Sequence, residues 1–390
     1  MNDTGNARAN GPIGYFVHHQ GRGHAERAAA IANALADTRK VQLFCARDDI
    51  FPDLDDRIGL SVIPSLFEAD DNASPVPPAL ANAETPDTLH CAPVGWLSIT
   101  HATGAIMQWF VEASPALFIT DVSAELAQLA RIASVPHMAV LQHGERDDPG
   151  HIAAYRGAMA LFAPYARSLE QADRPGWMTR KTIYAPGIGV DCASLPERDV
   201  ARAKLGIPAD IDLVIVIGGG GGTGLPSAPL TLGARDEPDS QWVTLGKMQT
   251  EWHETPPGNL RHLGWVDNPQ DWIAAADRLV SSCGNTTVHM AAAAGKPWVV
   301  VPEWRYFAEQ SAKAEALDTA GVAAMARQWP GSAAAWRKLW HAAAALDPAE
   351  QKVLVDPNAA PRAAKAVDTL VNRLWSPTAN DSVLTSGVSA

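Results

Sequence analysis

Residues 278–302 constrain the fold more than any other stretch. A short apolar run, Arg278-Leu279-Val280, enters the polar turn Cys283-Gly284-Asn285-Thr286-Thr287. A small-residue helix follows, then Gly295-Lys296-Pro297, then the apolar run Trp298-Val299-Val300-Val301. The order is strand, turn, helix, strand. The turn places backbone N–H groups and two hydroxyls at a helix N-terminus. Such a terminus has unsatisfied donors and partial positive charge, so it suits a phosphate. Gly284, Asn285, Thr286 and Thr287 are therefore the candidate phosphate ligands.

The same grammar recurs along the chain, and strands alternating with helices at this spacing predict a parallel sheet with crossover helices. Ligands of such sheets sit beyond the carboxyl ends of the strands. After a polar leader at residues 1–11, the strand at 12–17 runs into His18-His19-Gln20-Gly21-Arg22-Gly23-His24 and an alanine-rich helix. The glycines allow a tight turn, and the histidines suit acid–base work near neutral pH. His24 is the candidate base. His18 and His19, at a strand end, are read first as packed structural residues and second as site residues. Arg22 either aids a phosphate or is solvated.

Leu117-Phe118-Ile119-Thr120 ends in Asp121, and residues 138–141 end in Gln142-His143-Gly144-Glu145. Asp121, His143 and Glu145 are expected to converge with His24 on one rim, although a helix N-cap is the favoured role for Asp121. Asp147 and Asp148 read as a solvated turn. A helical pattern is expected between Ile152 and Ala172. In the second half, residues 212–217 form a buried strand that meets five consecutive glycines, 218–222. Gly219, Gly220 and Gly221 leave room for close approach of a pyrophosphate or sugar. The loop is neither a GxGxxG fingerprint nor a lysine-bearing P-loop. Residues 225–238 are proline-rich and not clearly helical.

Composition narrows the classes. The 390 residues are 47% hydrophobic, enough for two domains with their own cores, and the net charge of −12 excludes a general attraction for nucleic acid. Four scattered cysteines form no CxxC pair, so no zinc or disulfide framework is expected. No apolar run is long enough to span a bilayer, and a cytoplasmic protein is expected. Residues 67–93 are acidic and proline-rich, either a flap over a second substrate or a solvated insertion.

These motifs together resemble the nucleotide-sugar glycosyltransferases of the GT-B fold, closest to the MurG-like group. The resemblance is carried by G-x-x-T…A-A-A-G-K-P-x-x-x-V-P and E-Q over Gly284 to Gln310, by Leu263-Gly264-Trp265-Val266, by the glycine loop, by Gly23-His24 and by residues 141–145. It spans about residues 12–325. It implies an α/β protein of two Rossmann-like domains facing across a cleft: an acceptor-side domain at 1–195 and a donor domain at 196–375. The terminal helix crosses back, and a disordered tail occupies 376–390. It implies a nucleotide-diphosphate sugar as co-substrate, UDP by default, with no cofactor and no required metal. The partner would be a small-molecule, lipid or glycan acceptor, with peripheral contact at the inner face of the membrane. Trp265 and Val266 then serve the base, Glu309 and Gln310 the sugar hydroxyls, and His19, Gly21, Arg22 and Gly23 the acceptor or phosphate side.

One departure stands out. The family glutamate that binds ribose falls at Met290 here, with His289 beside it as the remaining donor-side candidate. Lys313 stands near a position where the family often has asparagine. Gly21 to Arg27 also resembles, as G-x-G-H-x-x-R, the UDP-sugar hydrolase of pseudaminic acid synthesis. A hydrolase and a non-catalytic binding protein are thus the alternatives to an inverting transferase.

Overall fold

The computed structural model describes residues 8–69, 74–220, 222–249 and 255–377. Two parallel sheets divide the chain. The first runs in the order β3-β2-β1-β4-β5-β6-β7, from β1 (Ile13–Phe16), β2 (Val41–Cys45), β3 (Gly59–Val62), β4 (Leu117–Asp121), β5 (His137–Val140), β6 (Ala160–Ala163) and β7 (Thr182–Tyr184). The second contains β8 (Asp212–Ile217), β10 (Ser240–Leu245), β12 (Leu260–His262), β13 (Arg278–Ser281), β14 (Trp298–Val300) and β15 (Ala324–Met325). Its order is β12-β10-β8-β13-β14-β15, while β9 (Leu225–Pro226) and β11 (Met248–Gln249) form a separate two-stranded ribbon.

Strand order reverses between β1 and β4 in the first sheet and between β8 and β13 in the second. A crevice opens beyond the carboxyl ends at each reversal. The register fixes what flanks it. Phe16 pairs with Thr120, so the histidine loop emerges beside Asp121. Ser281 pairs with Ile217, so the turn before Asn285 emerges beside the glycine loop.

The helix Ala359–Leu374 leaves the second sheet and packs on Arg22–Leu35. Val367 and Val371 are fully buried in the first domain's core, and Trp375 donates its indole N–H to the Ala116 carbonyl at 3.0 Å. The two chain crossings run side by side, tied by a hydrogen bond from Asp356 N–H to Pro186 O at 3.0 Å. In the second domain Trp336 and Trp340 stack at 6.0 Å, and both meet Trp242 edge-on. Their four-residue spacing builds core, as expected of an aromatic pair on one helix face.

Two expectations are corrected. Residues 152–172 are not one helical stretch: a helix, Pro149–Gly157, gives way to β6 and a 3-10 turn at Arg167–Leu169. Alanine-rich Ala160–Ala163 has helix propensity, but its four fully enclosed side chains fill a central strand slot. Conversely, Ser227–Asp236 is a helix despite Pro229. That proline lies in the first turn, where a missing N–H breaks no helical bond. Within residues 67–93, Pro78–Ala81 forms a short helix, whereas 70–73 lie outside the described residues, as do most of the tail at 376–390 and Gly221. Among the described residues no helix is long and apolar enough to cross a membrane.

Because the last helix completes the first domain's core, Val367→Asp is expected to destabilise that domain by at least ~2 kcal/mol, the cost of an unpaired polar group in a core. Urea unfolding followed by tryptophan fluorescence checks this, and an unchanged midpoint would mean that the helix is a passive appendage.

Candidate active site

The first half of the site is built on Asp121, the last residue of β4, which has no exposed surface. Arg27 donates to both of its oxygens: Nη2 lies 2.7 Å from Oδ1 and 2.6 Å from Oδ2, and Nε lies 3.1 Å from Oδ2. His24 Nδ1 lies 3.0 Å from Oδ1. His24 and Arg27 sit one helical turn apart on Arg22–Leu35, so both face β4. Gly21 starts that helix with φ of 96°, a left-handed conformation that favours glycine. Burial acts to raise the Asp121 pKa, but the Arg27 guanidinium and His24 outweigh it and hold the carboxyl below its ordinary 3.8. Arg27 Nη2 also lies 2.9 Å from His24 Nδ1, so that nitrogen has both a carboxylate acceptor and a guanidinium donor within reach. In the tautomer that donates from Nδ1 to Asp121, Nε2 is left as an acceptor.

Asp121 is thus no helix cap. Ser123 takes that role, its Oγ accepting from Leu126 N–H at 3.2 Å. His18 lies 5.2 Å from His24, ring to ring, and stacks on Phe67 at 4.3 Å. Its Nδ1 accepts from Gln20 N–H at 3.1 Å, and burial first, then His24, pushes its pKa down to about 3. His19 faces Glu68 at 3.3 Å. The start of the 67–93 segment therefore lies on the histidine loop.

The structure does not bring His143 into this group. It is fully buried, its Nε2 bonds the Leu169 carbonyl at 2.7 Å, and burial holds its pKa well below 6.5. Glu145 is exposed, and its backbone N–H donates to Phe307 O at 2.7 Å. Gly144 permits that approach: a Cβ there would stand 2.2 Å from the same carbonyl oxygen.

The second half faces it. Gly284 leads into Asn285–Ala294, and no side chain caps this helix. Its first-turn side chains reach the first domain. Thr286 Oγ1 donates to Glu26 at 3.0 Å, and Asn285 Nδ2 donates to Gln142 at 3.1 Å. Gly23 lies against Thr286, since a Cβ on it would come 3.0 Å from Oγ1. Lys313, fully buried, donates to Asn285 Oδ1, and burial pushes its pKa down to about 8. Thr287 is buried in the same turn. Trp265 is 66% exposed, and its ring edge would lie 3.6 Å from a Cβ on Gly220, so an open indole face flanks the glycine loop. Val266 packs against the core instead.

Glu309 and Gln310 are each engaged by protein groups through one side-chain oxygen. Arg146 donates to Glu309 at 3.1 Å across the cleft. Gln310 Oε1 accepts from Cys283 N–H at 3.0 Å and Glu303 N–H at 2.9 Å, clamping two loops together. His289 is buried with Nδ1 unpaired, and burial, then Lys313, pushes its pKa down to about 3. Met290 packs against the core, so no carboxylate stands at that point. Sequence reading left Arg27 and Lys313 out of the site. Arg27 was detectable only as the last residue of the Gly21–Arg27 pattern. Glu303, missed altogether, lies against Gly222, where a Cβ would come 2.1 Å from its Oε2.

No protein-family model matches the chain. Among solved structures, it is similar to Acinetobacter baumannii MurG (15% identity, TM-score 0.56), covering 93% of this chain and 99% of that one. It is also similar to the calicheamicin glycosyltransferase CalG4 (16%, TM-score 0.61) and to UDP-glucose: anthocyanidin 3-O-glucosyltransferase in complex with UDP (12%, TM-score 0.62). Each of these two matches covers 94% of this chain and 99% of the other. The fold is therefore the GT-B fold, two Rossmann-like domains across a cleft. A curated relative is the UDP-N-acetylglucosamine--N-acetylmuramyl-(pentapeptide) pyrophosphoryl-undecaprenol N-acetylglucosamine transferase of Acetivibrio thermocellus. It is 30% identical over 135 residues, which cover 32% of this chain and 37% of that relative's length.

The buried groups set a pH dependence. His18, His137 and His289 are pushed by burial to about 3, 4 and 3, below their unfolded value of 6.5. Each contributes stability that is complete above 6.5 and is lost as pH falls through the folded pKa. Asp121 adds a contribution complete above 3.8 and lost below it. The melting temperature should fall steadily from pH 6.5 toward pH 3; a flat profile between pH 7 and 4 would contradict these assignments. Arg27→Met should cost ~3–5 kcal/mol in urea unfolding by leaving Asp121 buried without its partner.

Proposed function

We propose that this chain is a glycosyltransferase that moves a sugar from a nucleotide-diphosphate sugar to an acceptor hydroxyl, with inversion and with no metal at the diphosphate. The observation that carries the reading is the His24–Asp121–Arg27 cluster, which sits at one strand-order reversal and faces the uncapped Asn285 helix start at the other.

Asp121 fixes the His24 ring, and Nε2 takes the proton from the acceptor hydroxyl. The activated oxygen attacks the anomeric carbon on the face opposite the diphosphate, which inverts that centre. Charge building on the leaving diphosphate meets the first-turn N–H groups at Asn285, Thr286 and Thr287, the threonine hydroxyls, and the Lys313 charge behind Asn285. Glu26 must release Thr286 for this, because its carboxylate repels an incoming anion. Trp265 offers its face to the base.

UDP is the proposed nucleotide, supported by the names of the relatives above, with hexosyl and N-acetylhexosaminyl donors both within range. Phe67 and Glu68 lie on the histidine loop, and a small molecule or a lipid-linked glycan is the proposed acceptor. A site at the cytoplasmic face of the membrane fits the second. The Gly21–Arg27 pattern keeps a hydrolase, in which water replaces the acceptor, as the alternative reading.

A panel of nucleotide sugars, with and without acceptor alcohols, tests this. Transfer only in the presence of acceptor supports the proposal, and sugar released equally without acceptor supports the hydrolase. His24→Ala is expected to lower turnover by ~10²-fold or more while leaving nucleotide binding in place; unchanged turnover would remove His24 as the base.

A further inference from the structure

His90, Asp148 and His151 lie outside the machinery above, and none of them is used by the proposed reaction. We propose that they form a site for one divalent ion of the Zn2+ type, which ties the 74–95 segment to the rim of the first domain. His151 Nδ1 lies 2.5 Å and His90 Nδ1 3.5 Å from the same Asp148 oxygen, and the three ligand atoms all fall within 4.8 Å of one another. Zinc bonds of ~2.0–2.2 Å to imidazole and carboxylate place tetrahedral ligands about 3.3 Å apart, so small side-chain rotations suffice.

The three groups are held in place before any ion arrives. Asp148 caps the Pro149–Gly157 helix: its Oδ1 accepts from His151 N–H at 3.1 Å, which turns Oδ2 toward both imidazoles. His151, three residues on, faces the same side of the first turn and is buried. His90 comes from a separate segment, anchored by Glu125 Oε1, which accepts from His90 N–H and Cys91 N–H at 2.8 Å each. Two neutral imidazoles and one carboxylate suit zinc, with the remaining position left to water. Phe307 of the second domain lies 5.1 Å from His90 and 5.3 Å from His151, ring to ring, and gives the site an apolar wall. The site therefore stands where the acceptor-side segment, the first-domain rim and the second domain meet. An ion there would fix the segment relative to Phe307.

The test uses the full chain stripped of metal with a chelator and titrated with Zn2+ by calorimetry. Expected are one equivalent bound, at least about tenfold weaker binding in His90→Ala and in His151→Ala, and unchanged binding in His101→Ala, an exposed histidine elsewhere. Zn2+ should also slow proteolysis within residues 74–95 in the wild type but not in His90→Ala. If His151→Ala fails to fold, His90→Ala alone decides, since His90 is partly exposed on a surface segment. No binding by the stripped chain, or binding unchanged in His90→Ala, would overturn the proposal and leave the trio as a hydrogen-bonded cap.

Discussion

A single buried carboxylate organises the first half of this cleft. Asp121 has no exposed surface, so its charge is met by protein donors. Arg27 meets it through both oxygens, and His24 completes the set. Arg27 comes from the helix after β1, and Asp121 ends β4. One ion pair therefore fixes the helix against the sheet and the imidazole against the cleft together. Replacing the carboxylate by an apolar side chain would leave the Arg27 guanidinium buried without its partner and the His24 ring without its anchor. The same interaction serves stability and chemistry.

Polar contacts join the two domains at the cleft, beside a hydrophobic cluster that runs from Leu141, Tyr165 and Leu169 to Cys283, Ala314 and Leu317 of the second domain. Glu26–Thr286, Gln142–Asn285 and Arg146–Glu309 cross from one domain to the other, as does the Glu145 backbone bond to Phe307. Three of these four use residues of the donor-side segments. A ligand that claims Thr286 or Asn285 must displace a bond to the first domain, so donor binding and cleft geometry are coupled. The two chain crossings between the domains are tied to each other at Pro186 and Asp356.

The fold was legible because the strands at the centre of each sheet, such as β1, β4, β8 and β13, are short apolar runs ended by a polar or glycine turn, and that pattern survives in a single sequence. The strand at Ala160–Ala163 escaped because four apolar residues, Ala-Leu-Phe-Ala, suit a helix as well as a buried strand; only sheet neighbours decide. The site was legible as places rather than as partners. His24 and His143 occupy similar loops after strands, yet one reaches the cleft and the other is enclosed against Tyr165. Arg27 was invisible as a site residue because its partner lies 94 residues away. Gln310 sits in a donor-type motif but spends its oxygen on two backbone N–H groups, a duty that no local pattern discloses.

The central claim is that a nucleotide diphosphate docks at the start of the Asn285–Ala294 helix, opposite His24. Backbone hydrogen exchange with and without UDP tests it most directly. The account predicts slower exchange at Asn285, Thr286 and Thr287 and along the glycine loop at 218–222. It predicts little change at the opposite ends of the strands. Protection confined to other surfaces, with the 285–287 amides unchanged under saturating UDP, would contradict it.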